Sequence, residues 1–246
     1  MELCHNDYRL PAESEPQQAL MLTWPHPNTD WKDCLDEITA VYIAMADAIT
    51  KQEDLWIVTP QKQIVGQLLA QRLTVEQCQR VRYFDMETND TWARDHAALT
   101  LKCGGEFKYL DFKFNGWGEK FAWQKDNAIT KKMAEQQAFW GVVEDHNDFV
   151  LEGGSIESDG EGTILTTSFC LLAPHRNQPL TQEKIELRLK NMLHADRILW
   201  LNYGRLLGDD TDGHIDTIVR MAPNNTWPAK IRQTNNMKIS KLWKKS

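Results

Sequence analysis

The chain has 246 residues, of which 41% are hydrophobic and 26% are charged, and its formal net charge at pH 7 is −7. This composition is typical of a globular protein, and the acidic balance gives no reason to expect nucleic acid as a partner. No apolar run approaches the length of a membrane helix, and the N-terminus has no apolar signal region, so we expect no membrane partner and a cytoplasmic location. The five cysteines are scattered without a C-x-x-C pair, which argues against a disulfide framework and a structural zinc site.

Helical and strand patterns alternate through the first half of the chain. Residues 33–51 carry apolar side chains at helical spacing, and Thr29 or Asp30 is available as the N-cap. Further along, two extended runs flank adjacent glycines, which accept the positive φ of a tight turn. The predicted elements of this half are helices over 33–51 and 61–73, strands over 55–60 and 79–84, and a hairpin over 97–112 that turns at Cys103-Gly104-Gly105.

The alternation continues through the second half of the chain. The predicted elements are a helix over 127–140, a hairpin over 148–167 with Asp159-Gly160 as its turn, a helix over 181–193, and strands over 197–202 and 213–221. Since no Pro/Ser-rich linker interrupts this pattern, we predict a single α/β domain over residues 1–225.

The C-terminal segment differs in composition from the rest of the chain. Residues 222–246 include six basic residues and no acidic one, and they show neither strand nor helix periodicity. We therefore interpret residues 226–246 as a basic tail outside the fold, either disordered or of foreign origin. The alternative is a basic C-terminal tail of ordinary kind.

The densest group of polar residues is Gly208-Asp209-Asp210-Thr211-Asp212-Gly213-His214-Ile215-Asp216. It does not fit an EF-hand, because Val219 occupies the position of the closing glutamate when Gly213 is the central glycine. On a strand, His214 and Asp216 project to the same side, where a histidine can act as general acid and base and a carboxylate can bind a cation. The alternative is a loop of solvated acids that leads into a strand.

Two further polar groups combine carboxylates with an indole or with glycines. Asp95, which we place at the start of a strand, either pairs with Arg94 or binds a planar cationic ligand in bidentate fashion with Trp92 stacked nearby. Glu152 precedes Gly153-Gly154, where the glycines permit either a close backbone approach or a simple hairpin entry.

Other tryptophans are candidates for the lining of a pocket. Phe114-Asn115-Gly116-Trp117-Gly118 predicts a tight loop that holds an indole ring at a surface or in a pocket. Trp24 and Trp31 are further candidates for aromatic lining. For each of these tryptophans, a place in the core or in a turn is the alternative.

Several common catalytic motifs are absent from the sequence. It has no G-x-G-x-x-G, P-loop, G-x-S-x-G or H-E-x-x-H pattern. Dinucleotide-binding, nucleotide-binding, α/β-hydrolase and zincin functions therefore lack their usual sequence support.

Taken in order, these groups resemble one family. The segments that carry the resemblance are RLPAE (9–13), LTWPHPNTDW (22–31), TNDTWARD (88–95), FNGWG (114–118), LEGGSIESDGEGTILTTSFCLL (151–172) and GDDTDGHIDTIVRM (208–221). They resemble the agmatine deiminases, which belong with the bacterial peptidylarginine deiminases to the guanidine-modifying enzymes, and the resemblance covers residues 8 to about 225. It implies a pseudo-five-fold α/β propeller of ββαβ modules, with the last module missing or incomplete in this chain.

The resemblance also implies a reaction and a role for each site residue. In the family, a cysteine thiolate attacks the guanidinium carbon of agmatine, ammonia leaves, and water releases N-carbamoylputrescine, a step of putrescine biosynthesis. Asp95 and Asp216 would bind the guanidinium nitrogens, and His214 would transfer protons. Glu152 would orient His214 and contact the substrate, while Trp92 would pack against the aliphatic arm. No metal or organic cofactor is implied, and a homo-oligomer is compatible with the sequence.

The nucleophile of the family is the residue that we do not find. In the family it lies in a C-terminal GGGNIHC-type segment, which this sequence lacks, and Cys170 matches a strand-end position in a different module. We therefore expect the 246-residue chain to be inactive. A frameshift or premature stop near Asn225 would explain both the lost segment and the basic tail. The alternatives are a non-catalytic guanidine-binding pseudoenzyme and a protein-arginine deiminase.

Overall fold

The structure is a computed structural model that describes residues 8–203 and 206–222. The basic tail over 226–246 lies outside these residues, so its interpretation stays a prediction, as does the cytoplasmic location. Among the described residues, no helix combines the length and the apolar character needed to cross a membrane. The chain forms two compact units, which we call the first unit (Glu15–Leu99 and Phe107–Gly153) and the second unit (Met1–Ser14, Thr100–Glu106 and Gly154–Ser246).

Strands and helices alternate in a mixed α/β fold, as the sequence predicts. The strands in the described part of the chain are β1 (Ala19–Thr23), β2 (Asp54–Thr59), β3 (Val81–Asp85), β4 (Leu99–Cys103), β5 (Glu106–Lys113), β6 (Val142–Val150), β7 (Ile156–Ser158), β8 (Thr163–Thr167) and β9 (Arg197–Leu201). The α-helices there are α1 (Leu35–Ile49), α2 (Lys62–Ala70), α3 (Val75–Gln79), α4 (Ala93–His96), α5 (Gly116–Glu119), α6 (Gln124–Asn127), α7 (Ile129–Glu135), α8 (Ser168–Leu171) and α9 (Gln182–Leu193). Short 3₁₀ helices cover Lys32–Cys34, Gly153–Ser155 and Ile215–Thr217.

A parallel three-stranded sheet of order β1-β2-β3 forms part of the first unit. Leu55 and Ile57 of β2 are fully buried in one core cluster together with Leu69 of α2. Val58, the next residue after Ile57, is buried in a second cluster with Met133 of α7. Successive strand residues point to opposite faces, so β2 is covered on both sides. The prediction of a buried strand over 55–60 is confirmed.

The helix predicted over 33–51 is present as α1, but its N-terminus differs from the prediction. Cys34 is the N-cap and provides no side-chain hydrogen bond, so the predicted cap by Thr29 or Asp30 is wrong. Thr29 instead donates its hydroxyl to the carbonyl of His26 at 2.8 Å. A 3₁₀ turn separates Thr29 from α1. Because of this turn, the side chain of Thr29 is too far from the first N–H groups of α1 to cap them.

The helix predicted over 127–140 is shorter in the structure. The helical residues there belong to α6 and α7, and α7 ends at Glu135. Gln137 follows with a φ of 54°, a left-handed conformation that ends the helical path. The chain then enters β6, which pairs in parallel with β5.

The second unit contains an antiparallel hairpin followed by a parallel strand. β7 and β8 pair around the predicted turn, where Asp159 Oδ1 accepts the N–H groups of Glu161 and Thr163 at 2.8 and 2.9 Å. After α9, which begins at its N-cap Thr181, β9 pairs in parallel with β8. The predicted hairpin over 148–167 is therefore correct only from Ile156 onward, because the residues before Leu151 belong to β6.

The strand predicted over 213–221 is wrong, because the structure has a 3₁₀ helix at Ile215–Thr217 instead. Ile215, Ile218 and Val219 are buried in a small core with Leu165 of β8. Ile215 and Ile218 are spaced as in one turn of a 3₁₀ helix, so both can point to the same core. Apolar residues at this spacing are mistaken for a strand because the run is too short to show its period.

Candidate active site

The residues that the sequence selects as a site are divided between the two units. Trp92, Asp95 and Glu152 belong to the first unit, whereas His214 and Asp216 belong to the second. In the first unit, the candidate residues lie on a short helix and beside a glycine that contacts this helix closely. In the second unit, they follow a tight polar loop.

Asp95 lies in α4 and not at the start of a strand, which corrects the sequence prediction. Its side chain is buried, and Oδ2 accepts a hydrogen bond of 3.0 Å from Nε1–H of Trp117. Breaking a bond to a buried charged group is costly, so the indole donor sets the direction of the carboxylate.

Trp117, which the sequence offers as a candidate for pocket lining in a tight loop, is a hydrogen-bond partner of Asp95. In its loop, Gly116, Trp117 and Gly118 all adopt positive φ, and Asn115 Oδ1 accepts the N–H of Gly118 at 3.0 Å. Left-handed backbone favours glycine and strains a tryptophan, so the surrounding structure must hold this ring in its place. The two glycines of FNGWG predict this tight loop from the sequence, whereas the bond from the indole to Asp95 is seen only in the structure.

Trp92 is 46% exposed, and its ring lies close to two other indoles. The ring centroid of Trp92 lies 6.1 Å from the ring centroid of Trp117, in an edge-on arrangement, and 6.3 Å from that of Trp31. Nε1–H of Trp92 donates to Asp90 Oδ2 at 3.0 Å, and Nε1–H of Trp31 donates to Thr91 Oγ1 at 2.8 Å. Because the polar edges of both rings are bonded, their apolar faces are available to an aliphatic or cationic ligand.

Trp24 is not part of this aromatic group. It is almost fully buried and lies edge-on to Tyr42, with 5.5 Å between the ring centroids. Of the two candidates for pocket lining in this region, Trp24 therefore belongs to the core, while Trp31 lies beside Trp92.

Glu152 is fully buried and precedes a glycine that makes a close backbone contact. A Cβ atom at Gly153 would lie 2.1 Å from the carbonyl oxygen of Arg94, so only glycine fits this position. Arg94 directly precedes Asp95 in α4. The contact therefore brings the backbone that carries Glu152 against the helix that carries Asp95, and it favours a close approach over a simple hairpin entry.

His214 lies directly before the 3₁₀ helix of the second unit and is 2% exposed. Its N–H donates to Thr211 Oγ1 at 3.1 Å, and its carbonyl accepts the hydroxyl of Thr217 at 2.8 Å. Asp216 lies within the 3₁₀ helix and is half-buried. His214 is the extended N-cap of the 3₁₀ helix that contains Asp216, so the strand from which the sequence analysis has both side chains project is not present.

The loop before His214 is fixed by its own polar groups. Asp209 accepts the N–H groups of Thr211 and Gly213 at 2.9 and 2.6 Å. Thr167 donates its hydroxyl to the carbonyl of Gly213 at 2.6 Å. A loop of merely solvated acids does not describe Asp209, because its carboxylate organises the backbone that leads to the histidine.

Arg176 supports the same loop from outside it. Its side chain is fully buried, Nη1 lies 2.7 Å from Asp212 Oδ2, and Nη2 donates to the carbonyl of Thr211 at 3.0 Å. The planar guanidinium of arginine can serve both acceptors at once. Nothing in the sequence around Arg176 indicates this role, because the acceptors lie more than thirty residues further along the chain.

Cys170 lies in α8, directly after β8, and not at a strand end. Its Sγ and a ring nitrogen of His214 lie within 4.8 Å of one another. The expectation that Cys170 lies away from the site is therefore wrong. The thiol of Cys170 is fully buried. Cys170 forms no disulfide, and neither do Cys34, Cys78 and Cys103.

The histidine next to Asp95 in the chain carries no charge at neutral pH. Burial lowers the pKa of His96 to about 4. Its Nε2 lies 3.1 Å from Thr23 Oγ1, within the first unit. A neutral imidazole at this position does not compete with a cationic ligand for the carboxylate of Asp95.

Comparison with known proteins places this chain among deiminases. The model of the family of Porphyromonas-type peptidyl-arginine deiminases matches residues 9–242. The agmatine deiminase of Stutzerimonas stutzeri is 35% identical over 215 residues, which are 85% of this chain and 56% of that protein.

Solved structures of deiminases share the fold. A cysteine-to-serine variant of agmatine deiminase from C. jejuni, with substrate bound, has a TM-score of 0.85 at 35% identity, covering 94% of this chain and 67% of that chain. The agmatine deiminase of Enterococcus faecalis has a TM-score of 0.73 at 33% identity, covering 87% of this chain and 58% of that chain.

The similarity extends over nearly all of this chain but not over all of its relatives. The chain spans 57% of the length of the first curated relatives that it matches. The matched residues include every segment that carries the site, from Trp92 to Asp216. The chain therefore belongs to the family of Porphyromonas-type peptidyl-arginine deiminases, in which its relatives include agmatine deiminases.

Proposed function

We propose that the chain carries the guanidine-binding and proton-transfer groups of an agmatine deiminase, which hydrolyses agmatine to N-carbamoylputrescine and ammonia in putrescine biosynthesis. The observation that carries the proposal is the buried carboxylate of Asp95, oriented by Nε1–H of Trp117 beside the open ring of Trp92. A carboxylate pairs with two guanidinium N–H groups, and an indole face attracts positive charge, so a flat cation suits this group. The substrate-bound agmatine deiminase among the similar structures supports the choice of agmatine.

Asp95 and Asp216 are assigned to the guanidinium nitrogens. A guanidinium is delocalised and poorly electrophilic, so its plane must be fixed before a nucleophile can attack its carbon. Asp95 suits this role because Trp117 already sets its orientation. Asp216 is half-buried as a residue, and its Oδ1 atom is buried, so this oxygen is shielded from water as a group that pairs with a guanidinium should be.

His214 is assigned to proton transfer, Glu152 to its orientation and to substrate contact, and Trp92 to the aliphatic arm. The histidine would give a proton to the leaving ammonia and later take one from the attacking water. Support comes from the bonds of Thr211 and Thr217, which fix the backbone on both sides of His214. A proton carrier needs such a fixed position, because its ring must meet both the leaving group and the water.

The covalent step needs a thiolate at the site. The thiolate must attack the guanidinium carbon, ammonia must leave with a proton from the histidine, and water must then cleave the carbon–sulfur bond. No GGGNIHC-type segment occurs in the sequence. Cys170 is near His214, but the resemblance assigns the nucleophile to a segment of that type and not to the position of Cys170. We therefore expect this polypeptide to bind agmatine and to release no ammonia from it.

Two assays on the purified 246-residue protein test the proposal. Calorimetric titration with agmatine should show saturable binding, and ammonia release should stay at the level of a protein-free blank. Robust ammonia release would contradict the lack of a nucleophile, and the variant Cys170→Ser would then show whether Cys170 supplies it. A folded protein without saturable binding would contradict the guanidine site.

Two related ligands separate agmatine deiminase from the alternatives. The proposal expects agmatine to bind more tightly than free arginine or a peptidyl-arginine, whereas a protein-arginine deiminase would prefer the peptide. A guanidine-binding pseudoenzyme also binds without turnover. Saturable binding by a stable, monodisperse protein that releases no ammonia favours the pseudoenzyme.

We also propose that the fold is a pseudo-five-fold α/β propeller of ββαβ modules. Support comes from β7, β8, α9 and β9, which follow one another as an antiparallel hairpin, a helix and a parallel strand. The TM-score of 0.85 to a solved agmatine deiminase supports the same architecture. A crystal structure of this protein in which the sheets do not repeat around a common axis would contradict it.

A further inference from the structure

Asp126 is a buried carboxylate to which the proposed reaction gives no role. It lies in α6 of the first unit and is 2% exposed. Oδ1 accepts the backbone N–H of Asn89 at 2.6 Å, and Oδ2 accepts that of Asp90 at 3.1 Å. Both donors belong to segment 88–92, which leads directly into the helix of Asp95. One carboxylate thus holds two consecutive amides of the segment that carries part of the site.

The contact between α6 and segment 88–92 is reciprocal. Asn89 Oδ1 accepts the backbone N–H of Lys125 at 2.8 Å, so each element binds an amide of the other. Asp90 extends the connection to an exposed ring, because its Oδ2 accepts Nε1–H of Trp92 at 3.0 Å. Asp126 therefore holds the backbone of Asp90, and the side chain of Asp90 holds the ring of Trp92.

We infer that Asp126 is a positioning residue: it holds segment 88–92 in the geometry in which Trp92 and Asp95 meet the guanidine ligand, and its protonation loosens that geometry. The identity of the ligand rests on the proposed function. The hydrogen bonds that Asp126 makes do not depend on it.

The charge state of Asp126 changes near neutral pH. Burial raises the pKa of Asp126 to about 7, and the charge of Asp90 adds to the rise, against the opposing effects of the two N–H bonds and of Lys125. A proton goes more readily to Oδ2, which has the longer of the two bonds, and the N–H of Asp90 then loses its acceptor. Segment 88–92 is therefore held by two carboxylate bonds above neutral pH and by one below it.

Charged groups on both elements surround Asp126. On the side of the segment lies Asp90, and burial raises the pKa of Asp90 as well. On the side of α6, the ammonium group of Lys125 pairs with Glu87 at 3.0 Å. His26 lies near this pair, and burial lowers the pKa of His26, so it is mainly neutral at pH 7. Because Lys125 is directed at Glu87, burial dominates the behaviour of Asp126.

Residue-resolved amide hydrogen exchange on the variant Asp126→Asn tests these bonds without any ligand. The asparagine keeps one oxygen acceptor but turns an NH₂ group towards the second N–H donor. We expect the amide of Asn89 or of Asp90 to exchange at least about tenfold faster at pH 8 than in the wild type. Unchanged exchange of both amides would overturn the inference.

Asp111→Asn is the matched control. Asp111 is also a buried carboxylate of the first unit, and burial raises its pKa to about 6, but it accepts a hydrogen bond from Asn147. Its substitution should leave the amides of segment 88–92 unchanged. Should Asp126→Asn not fold, the wild type itself serves: after correction for intrinsic rates, protection of the Asp90 amide must rise from pH 6 to pH 8. Constant protection would overturn the inference.

Agmatine affinity measured between pH 6 and pH 8 connects these bonds to binding. Asp126→Asn should bind agmatine about fivefold more weakly than the wild type at pH 8, and its affinity should depend less on pH. Asp111→Asn should follow the wild type. Identical pH profiles for the wild type and Asp126→Asn would overturn the inference. A wild type that binds no agmatine at any pH would contradict the proposed function, and the exchange experiment alone would then decide the role of Asp126.

Discussion

Asp95 and Trp117 form a pair in which each polar group fixes the other. The indole Nε1–H donates to the carboxylate at 3.0 Å. The ring itself is held edge-on by Phe114 and Phe121, with centroid distances of 5.1 and 5.6 Å. Because the ring of Trp117 is held in place, the carboxylate of Asp95 is already oriented before a cation binds. Less conformational entropy is then lost on binding, which increases the affinity for the cation.

Replacing Trp117 by phenylalanine tests this pair at the level of one hydrogen bond. The variant Trp117→Phe keeps an aromatic ring but removes the donor to Asp95. We expect agmatine affinity to fall by about 1 kcal/mol, or roughly fivefold, in calorimetric titration. Trp140→Phe is the control, because Trp140 is 69% exposed and should be replaceable without effect. Equal affinities for both variants would show that the indole donor does not matter.

The close backbone contact of Gly153, the residue after Glu152, can be tested by its effect on stability. In Gly153→Ala, the new methyl group would lie 2.1 Å from the carbonyl oxygen of Arg94, so the backbone must shift. We expect the free energy of unfolding in urea to fall by about 1–3 kcal/mol. Gly105→Ala is the matched control, since nothing lies within 4 Å of its added Cβ. If both variants unfold at the same urea concentration, the close contact at Gly153 is not rigid.

Arg176 stabilises the loop before His214 through its bonds to Asp212 and to the carbonyl of Thr211. In Arg176→Lys, the positive charge remains but the fork that serves Asp212 and the carbonyl of Thr211 is lost. We expect the free energy of unfolding to fall by about 1–3 kcal/mol, because a buried acceptor loses its donor. Arg72→Lys, at an exposed ion pair with Asp47, should cost less than about 0.5 kcal/mol. Similar losses for the two variants would contradict a special role for Arg176.

Elements with a long, regular pattern could be predicted from the sequence, and short irregular ones could not. The helix over 181–193 and the strand over 55–60 follow directly from periodicity and an apolar run. The sequence predicts a strand over 213–221, but the structure has a 3₁₀ turn there, in which the hydroxyl of Thr217 donates to the carbonyl of His214 and Asp209 accepts the N–H of Gly213. Local hydrogen bonds of this kind outweigh strand propensity in a segment that short.

The sequence selects the candidate site residues by type, but it does not show the hydrogen bonds that hold them. Asp95, Glu152 and His214 stand out because each is a polar residue within a dense polar or glycine-rich segment. Their supporting residues, Trp117 and Arg176, come from other parts of the chain and reach the site only through the fold. A short motif such as FNGWG predicts the local loop but not its long-range partner, and for the same reason the sequence does not place Cys170 near His214.

For the whole molecule, buried carboxyls predict how stability depends on pH. Burial raises the pKa of Asp111 to about 6 in the folded protein. The folded state then binds this proton more tightly than the unfolded state, so the stabilisation is complete below about pH 4 and is lost as pH rises through the folded pKa.

Urea unfolding of the wild type and of Asp111→Asn at a series of pH values checks this sign. Relative to the variant, the wild type should lose about 2 kcal/mol of unfolding free energy between pH 4 and pH 6, and the loss should level off above about pH 7. An unfolding free-energy difference that rises with pH over this range would contradict the burial of a raised carboxyl group.

The central proposal is that Asp95, beside the rings of Trp92 and Trp117, binds a guanidinium. Calorimetric titration of the wild type and of Asp95→Asn with agmatine and with putrescine tests it most directly, because putrescine has an amine where agmatine has the guanidinium. We predict that the wild type binds agmatine at least about tenfold more tightly than putrescine and that Asp95→Asn loses this preference. Equal affinity of the wild type for the two ligands, or unchanged agmatine binding by a folded Asp95→Asn variant, would contradict the claim.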